Sequence, residues 1–185
     1  MPDLILLNGP PASGKSTIAA LLVASRPLAL HLDVDRVRGS LGASMEQPEE
    51  SGRAARRIAL AAAAAHLTHG HDVVVPQMIA RDPFVLQLEV VARESGARFV
   101  EIALMSDLAD TVSAFTARST SPETQAHRDA AELVQREGGE PALRASHDRL
   151  MNFLRTRPSA RLVQVVRGDT SETLRLVEVA IATQP

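Results

Sequence analysis

The sequence predicts an α/β domain, a three-layer sandwich in which a five-stranded, mainly parallel sheet carries helices on both faces. Short apolar segments alternate with segments of helical periodicity along the chain. The connections are long enough for the helical crossovers that parallel strands require. Because 185 residues suit one domain with a full core, we expect a single domain over residues 1–185. Its ligands should bind where the strands end.

Five short apolar segments fit the strands of this sheet. None exceeds eight residues, and the third is rich in valine, as expected for strands that are buried on both faces. The predicted strands span residues 4–8, 28–33, 72–76, 98–105 and 161–166.

The segments between the strands carry helix signals. Pro48 suits the first turn of a helix, Asp82 is a candidate N-cap, and Gly96 is a candidate stop. Together with the apolar periodicity, these signals predict helices over residues 18–25, 36–41, 48–70, 82–95, 107–118, 130–137, 141–157 and 171–183.

The composition excludes several classes of function. Because the chain has no cysteine, it forms no disulfides, thiolate zinc sites or iron–sulfur clusters. The net charge of −2 argues against nucleic acid as a partner. No apolar run reaches the ~20 residues of a membrane span, and residues 1–9 lack the pattern of a signal peptide. We expect a cytoplasmic protein, a monomer or homodimer, that binds a small molecule and no membrane.

One motif carries most of the functional information. Residues 9–16 match the pattern G-x-x-x-x-G-K-[ST] and lie between the first strand and the first helix. In such a loop the backbone N–H groups turn toward a polyphosphate, and the positive end of the following helix adds to the attraction. Lys15 is the only lysine among 20 Lys and Arg residues, which is consistent with a need for a compact ammonium group here.

This motif predicts the nucleotide-binding residues. Lys15 would contact the β- and γ-phosphates, and the hydroxyl of Ser16 would ligate Mg²⁺. The expected contacts come from Gly9, Pro10, Pro11, Ala12, Ser13, Gly14, Lys15, Ser16 and Thr17.

Two carboxylates follow the second predicted strand. Asp33 and Asp35 would lie beside the phosphate-binding loop if that strand neighbours the first one. There a carboxylate can deprotonate a hydroxyl nucleophile or hold Mg²⁺ through water. Asp35 is the preferred base and Asp33 the candidate metal ligand, while either can contact the substrate. The alternative is that they only cap the helix that begins near Val34.

These residues resemble those of small P-loop kinases and phosphotransferases, AAA-type ATP-binding proteins similar to chloramphenicol phosphotransferase, zeta toxin, and gluconate and shikimate kinases. The resemblance rests on residues 9–17, 35–41 and 107–118. It implies a nucleoside-monophosphate-kinase-like fold and Mg²⁺-dependent transfer of the γ-phosphoryl group of ATP to a hydroxyl of a small-molecule acceptor.

The same resemblance implies roles for individual side chains. Asp35 would accept the proton of the substrate hydroxyl, and Arg38 would lie near the acceptor. Arg118 and Arg128 would stabilise the transferring phosphoryl group from a small mobile lid at about residues 119–140. That segment is polar, contains Pro122 and ends at a glycine pair, as expected for a lid that closes and excludes water.

Three further positions have open interpretations. Many P-loop proteins carry an aspartate after the third strand, but this chain has Gln77, which supplies no negative charge and can instead position a water or contact the acceptor. After the fifth strand, Arg167 can stack on adenine and Thr170 can contact the nucleotide. A turn in which Thr170 or Ser171 caps the last helix explains this segment equally well.

Two other functions stay open. The missing strand-three aspartate is compatible with a nucleotide-binding regulatory or interaction protein that has weak ATPase activity. Residues 141–167 carry six arginines against one aspartate, which leaves room for a polynucleotide 5′-hydroxyl kinase.

Overall fold

The computed structural model describes residues 1–183, and its centre is a five-stranded sheet in which every paired strand is parallel to its neighbour. Residues 184 and 185 of the predicted domain lie outside the described residues. The sheet order is β2-β3-β1-β4-β5. The strands are β1 (Asp3–Asn8), β2 (Leu30–His31), β3 (Val73–Pro76), β4 (Arg98–Met105) and β5 (Arg161–Gln164). The predicted α/β fold is confirmed, and the sheet is entirely rather than mainly parallel.

Eight helices connect and follow these strands within residues 1–183. None of them has both the length and the apolar composition that crossing a membrane requires. The helices are α1 (Lys15–Ala24), α2 (Val34–Gly39), α3 (Pro48–Leu67), α4 (Asp82–Glu94), α5 (Leu108–Thr120), α6 (Gln125–Arg136), α7 (Glu140–Leu154) and α8 (Thr170–Ala182).

The helix starts correct three sequence predictions. Asp82 is the first residue of α4 and not its cap, because Arg81 holds the extended N-cap conformation. The predicted helix at 130–137 begins earlier, at Gln125, since the hydroxyl of Thr124 accepts a hydrogen bond from the His127 N–H at 3.2 Å. Asp169, rather than Thr170 or Ser171, caps α8.

The helices form layers on both faces of the sheet. In β1, Leu4 and Leu6 pack in the cluster built with α3 and α4, whereas Ile5 and Leu7 pack in the cluster built with α1 and α8. All four side chains are 0% exposed. This alternation follows from the period of two of a β-strand, and it makes β1 the centre of a three-layer sandwich.

The charges at the amino edge of the sheet are paired. The guanidinium group of Arg98 donates to both carboxylate oxygens of Asp3, at 2.8 and 2.8 Å. Asp72 accepts a hydrogen bond from the Asp3 N–H at 2.8 Å and pairs with Arg26 at 3.2 Å. These contacts join the beginnings of β1, β3 and β4.

Residues 119–140 span the carboxyl edge of the sheet. They comprise the end of α5, a turn at 121–124, α6, and Gly138 and Gly139, whose φ values are 115° and 70°. Helix α6 packs against α2, α5 and α7. At its end, Arg136 donates a hydrogen bond to the carbonyl oxygen of Met45 at 2.8 Å. The segment expected to be a lid therefore reaches across to the connection between α2 and α3.

Candidate active site

The loop between β1 and α1 has the backbone geometry of a phosphate-binding loop. Gly9, Ala12 and Gly14 have φ values of 147°, 60° and 85°. A Cβ atom on Gly9 would lie 2.7 Å from the carbonyl oxygen of Leu104, so only glycine fits where the loop passes β4. Gly14 caps α1 in the left-handed conformation, and Lys15 is the first residue of that helix. The loop therefore sets Lys15 at the positive end of α1.

Lys15 folds back over this loop. Its ammonium Nζ donates a hydrogen bond to the carbonyl oxygen of Pro10 at 2.7 Å. The pKa of Lys15 is lowered to about 8, mainly by burial and secondly by the positive charge of Arg118, while Asp35 and Asp33 act in the opposite direction. The ammonium is thus poorly solvated and repelled by a second cation. A bound phosphate would offset both the poor solvation of the ammonium and its repulsion by Arg118.

A cleft of about 430 Å³ opens beside the loop. Its volume lies within the range of roughly 300–1,000 Å³ that is typical of small-molecule sites. Helix α5 and the turn before α6 form the opposite wall. The lining residues are Ala12, Gly14, Lys15, Ser16, Thr17, Ala114, Ala117, Arg118, Ser121, Glu123 and His127.

A second groove, of about 290 Å³, lies on the outer surface between α3 and α4. Its lining includes Leu60, Leu86 and Val90 and no charged residue. Because phosphate recognition needs cations or N–H donors, the cleft and not this groove is the candidate active site.

Arg118 enters the cleft from the last turn of α5. Its guanidinium carbon lies 5.2 Å from the centroid of the Phe115 ring, a cation–π distance that holds the side chain in place. Burial lowers the pKa of Arg118, and the charge of Asp35 opposes this effect. Within residues 1–183, the buried Nε atom of Arg118 has no hydrogen-bond partner. The cleft wall therefore contains a guanidinium group whose Nε donor is not used within the described residues.

Asp33 combines the two roles that the sequence left as alternatives. Its Oδ1 atom accepts hydrogen bonds from the N–H groups of Asp35 and Arg36, at 3.0 and 3.3 Å, and so caps α2. Its Oδ2 atom faces Ser16, whose hydroxyl lies 3.5 Å away. The prediction made this proximity depend on β2 lying next to β1. That condition was wrong, because β3 lies between the two strands. The carboxylate reaches the loop across the end of β3.

The Ser16–Asp33 pair fits a magnesium ion chemically. A hydroxyl and a carboxylate are the hard oxygen ligands that Mg²⁺ prefers, and Mg²⁺ commonly takes its remaining ligands from phosphates and water. No three His, Asp or Glu side chains form a candidate metal cluster in the described part of the chain. A bound ion here would therefore depend on the nucleotide.

Asp35 lies two residues after Asp33, in the first turn of α2 and beside Arg38. Its Oδ1 atom is 3.7 Å from Nη2 of Arg38. Although 49% of the side-chain surface is accessible, the surrounding protein displaces enough water to raise the pKa of Asp35. Arg38 opposes this shift most strongly, and Lys15 and Arg118 oppose it more weakly. One carboxylate thus acts electrostatically on both cations of the cleft.

Gln77 follows β3, between the loop and Asp33. Its N–H donates to the carbonyl oxygen of Leu7 at 3.1 Å and extends the β1–β3 pairing. In the part of the chain that the structure describes, the buried Oε1 atom of Gln77 has no hydrogen-bond partner. Gln77 therefore places an uncharged hydrogen-bond acceptor at the carboxyl edge of the sheet.

Three predicted nucleotide-site residues lie elsewhere, and the predicted acceptor-side residues Asp33, Asp35, Arg38 and Gln77 do not line the cleft either. Arg128 is exposed and donates to Oε1 of Gln125 at 2.9 Å, because the early start of α6 turns this side chain outward. Arg167 pairs with Asp110 of α5, and Thr170 is exposed at the start of α8. None of these three side chains lines the cleft.

Two titratable cleft residues were missed by the sequence analysis. His127 and Glu123 line the cleft wall that the start of α6 forms. Burial lowers the pKa of His127, followed by the charge of Arg118, and its Nδ1 atom is buried without a partner among residues 1–183. The signal that could have found His127 is Thr124, since a cap there fixes the phase of α6.

The AAA domain family AAA_33 matches residues 4–138, a region that includes the loop, both aspartates and most of the lid segment. The chain belongs to this family. No curated protein sequence matches the chain.

Solved structures of other proteins share the fold of this chain. A gluconokinase from Sinorhizobium meliloti 1021 is 16% identical with a TM-score of 0.66, and the match covers 98% of this chain and 92% of that one. The tunicamycin resistance protein of Deinococcus radiodurans is 14% identical with a TM-score of 0.59, covering 100% of this chain and 98% of that one. At these identities the likeness shows the fold, which is that of the small P-loop kinases.

Proposed function

We propose that this protein is a kinase that transfers the γ-phosphoryl group of ATP to a hydroxyl group of a small molecule. The observation that carries the proposal is the grouping of Asp35, Lys15 and Arg118, one carboxylate and two cations whose charges act on one another beside a single cleft. Membership in the AAA domain family and the kinase fold of its structural neighbours support this assignment.

The residues of the loop would bind the triphosphate. Backbone N–H groups of residues 12–17 would surround the β- and γ-phosphates, since Pro10 and Pro11 have none to donate, and the ammonium of Lys15 would move from the Pro10 carbonyl oxygen to the phosphate oxygens. Ser16 and Asp33 would hold Mg²⁺, which when bound neutralises phosphate charge. Arg118 contacts the terminal phosphate from the other wall of the cleft.

Asp35 acts as the general base of the transfer. Its carboxylate takes the proton of the acceptor hydroxyl as the hydroxyl oxygen forms a bond to the γ-phosphorus. The bond from the γ-phosphorus to the bridging oxygen breaks, and ADP leaves with that electron pair. Lys15 and Arg118 stabilise the charge on the transferring group, so that positioning and electrostatics supply the rate enhancement.

We also propose that residues 119–140 act as a lid. The Gly138–Gly139 pair, with both φ values positive, provides a point of bending before α7. Movement of α6 about this pair would open the cleft wall that contains His127 and close it over a bound nucleotide.

Two other functions were left open by the sequence, a regulatory ATP-binding protein and a polynucleotide 5′-hydroxyl kinase. Gln77 in place of a carboxylate is the observation that favours a regulatory ATP-binding protein. The arginines that favoured a polynucleotide kinase are dispersed: Arg144 pairs with Glu140, Arg157 pairs with Glu89 and Glu101, and Arg161 donates to the Ala180 carbonyl oxygen. The carboxylate partners of Arg144 and Arg157 reduce the positive charge that a polynucleotide would meet.

Incubation of the protein with Mg·ATP and a metabolite extract tests the proposal. Mass spectrometry should find a metabolite that gains one phosphoryl group, together with acceptor-dependent ADP release. The Asp35→Asn variant should bind ATP with unchanged affinity and yield no product. ATP binding without any acceptor-dependent ADP release would instead favour the regulatory function, and normal transfer by Asp35→Asn would refute the assignment of the base.

A further inference from the structure

One histidine lines the candidate cleft on the wall opposite the phosphate-binding loop. His127 lies in the first turn of α6 and borders the same cleft of about 430 Å³ as Lys15 and Arg118. Its place in the helix is fixed, because the Thr124 hydroxyl accepts a hydrogen bond from the His127 N–H at 3.2 Å. The start of α6 therefore holds an imidazole beside the position that the loop offers to phosphates.

The Nδ1 atom of His127 is buried and has no hydrogen-bond partner within residues 1–183. The Nε atom of Arg118, on the same wall, is also buried and unpartnered among these residues. Buried polar atoms of folded proteins nearly always have a partner, which can be a protein group, a water or a ligand. Because an arginine Nε and both nitrogens of an imidazolium are donors, the two side chains together suit a ligand that accepts hydrogen bonds.

The surroundings of His127 oppose its protonation in the nucleotide-free protein. The pKa of His127 is lowered, mainly by burial and secondly by the positive charge of Arg118. Glu123, in the turn before α6, acts in the opposite direction, and Arg128 acts in the same direction as Arg118. Near neutral pH the imidazole is therefore largely uncharged.

Bound nucleotide would change the charge around His127. Among the charged groups that line the cleft, Lys15 and Arg118 are positive and Glu123 is negative. Helices α2 and α7 also pack against α6, but none of their charged side chains lines the cleft. The phosphates of a nucleotide carry more negative charge than one Mg²⁺ ion neutralises, so they would favour the protonated imidazole.

We propose that His127 takes up a proton when the nucleotide binds and, as an imidazolium, donates a hydrogen bond to a phosphate oxygen. This inference rests on the nucleotide binding of the proposed kinase function and adds a proton-linked regulation of that site. The proton comes from the buffer, and no covalent bond of the nucleotide changes in this step. Because the complex holds more protons than its separate components, nucleotide affinity rises as pH falls.

Calorimetry in buffers of different ionisation enthalpy counts this proton. The titrant is a non-hydrolysable ATP analogue with Mg²⁺ at pH 6.5, and the dependence of the binding enthalpy on the buffer gives the protons taken up per nucleotide. We expect the wild type to take up at least about 0.3 proton more than His127→Gln. With a pKa of about 8, Lys15 is almost fully protonated at this pH in both proteins and does not mask the difference.

The pH dependence of affinity gives a second readout. From pH 6 to pH 8 the dissociation constant of the wild type should rise at least about threefold more than that of His127→Gln, since each unit by which binding raises a pKa is worth a factor of ten. In His127→Arg the cation is permanent, so this excess rise should vanish while tight binding persists at pH 8. A side chain that only packs in the wall would not give this result. Direct comparison of His127→Arg with the wild type also keeps the test decisive if His127→Gln does not fold.

A matched control comes from a histidine outside the cleft. His69 is exposed just after the end of α3, where its Nδ1 atom contacts the Ala65 carbonyl oxygen at 2.7 Å. The His69→Gln variant should therefore keep the proton uptake of the wild type.

The outcomes separate this inference from the kinase function. If the wild type and His127→Gln bind the analogue with equal proton uptake, the inference is wrong and the kinase function stands. Proton uptake that depends on His127, without acceptor-dependent ADP release in the metabolite extract, would support the inference and contradict the kinase function. If the wild type binds no analogue at any pH between 6 and 8, both are wrong.

Discussion

The side chain of Asn8 exchanges two hydrogen bonds with the main chain of Ile79. Its Oδ1 atom accepts from the Ile79 N–H at 2.9 Å, and its Nδ2 atom donates to the Ile79 carbonyl oxygen at 2.9 Å. The same Oδ1 atom accepts from the Gly9 N–H at 2.8 Å. One fully buried side chain therefore joins the start of the phosphate-binding loop to the segment between Gln77 and Arg81.

Replacement of Asn8 by alanine should destabilise the protein strongly. The substitution leaves two buried N–H groups and one carbonyl oxygen without partners, so we expect the free energy of unfolding to fall by about 2–4 kcal/mol. Urea unfolding measures this change. The exposed Asn152→Ala should change the free energy of unfolding by less than about 0.5 kcal/mol. A loss below about 1 kcal/mol for Asn8→Ala would mean that water replaces the amide.

Gly9 and Gly42 form a matched pair for a test of the loop. A Cβ atom on Gly9 would lie 2.7 Å from the Leu104 carbonyl oxygen, in a backbone conformation with φ of 147°, whereas at Gly42 it would meet nothing within 4 Å. Gly9→Ala should lower the free energy of unfolding by about 2–4 kcal/mol and weaken ATP binding. Gly42→Ala should do neither. Equal unfolding midpoints for the two variants would contradict the described path of the loop.

Replacement of Lys15 by methionine should stabilise the nucleotide-free protein while it abolishes nucleotide binding. At neutral pH the folded state contains a buried ammonium whose pKa is lowered from 10.5 to about 8, so its removal should add about 1–3 kcal/mol to the free energy of unfolding. The control Lys15→Arg keeps the positive charge and should not increase the free energy of unfolding.

The gain from Lys15→Met should depend on pH. Between about pH 8 and 10.5 the unfolded chain holds a proton on Lys15 that the folded protein has released, so wild-type stability rises with pH through this window. The advantage of Lys15→Met should therefore shrink as pH increases. Unfolding curves at pH 7 and pH 10 measure the difference, and a constant advantage would show that the pKa of Lys15 is not lowered.

Arg118 and Arg128 should differ in their effect on phosphoryl transfer. Arg118 lines the cleft and its buried Nε atom has no hydrogen-bond partner among residues 1–183, whereas the exposed Arg128 contacts Gln125. We expect Arg118→Met to reduce kcat by about 10²–10³-fold, as loss of a charge-stabilising donor does. Arg128→Met should have a much smaller effect. Comparable losses would indicate that the lid moves farther than this arrangement suggests and brings Arg128 onto the phosphates.

The fold and the loop could be predicted because their signals are local. The valines of β3 and the pattern from Gly9 to Ser16 each specify a structure within a few residues. His127 could not be placed, since its direction depends on a helix start that Thr124 fixes. The partnership of Asn8 and Ile79 joins two segments that are 71 residues apart. Such contacts follow only from the strand order, which the sequence left open.

Because Lys15 is the only lysine of the chain, its chemical labelling could measure how much of the phosphate-binding loop is occupied by nucleotide. Reagents that acylate amines attack only the neutral form, and with a pKa of about 8 roughly half of the Lys15 side chains are neutral at that pH, against well under 1% for an ordinary lysine. Apart from the α-amino group, the chain offers such reagents no other amine. The α-amino group has a similar ordinary pKa and would take the first acyl group, so a second acyl group would mark the phosphate-binding loop. Nucleotides that occupy the loop would protect Lys15, and the fraction of doubly acylated protein in a mass spectrum could follow ligand binding in a mixture.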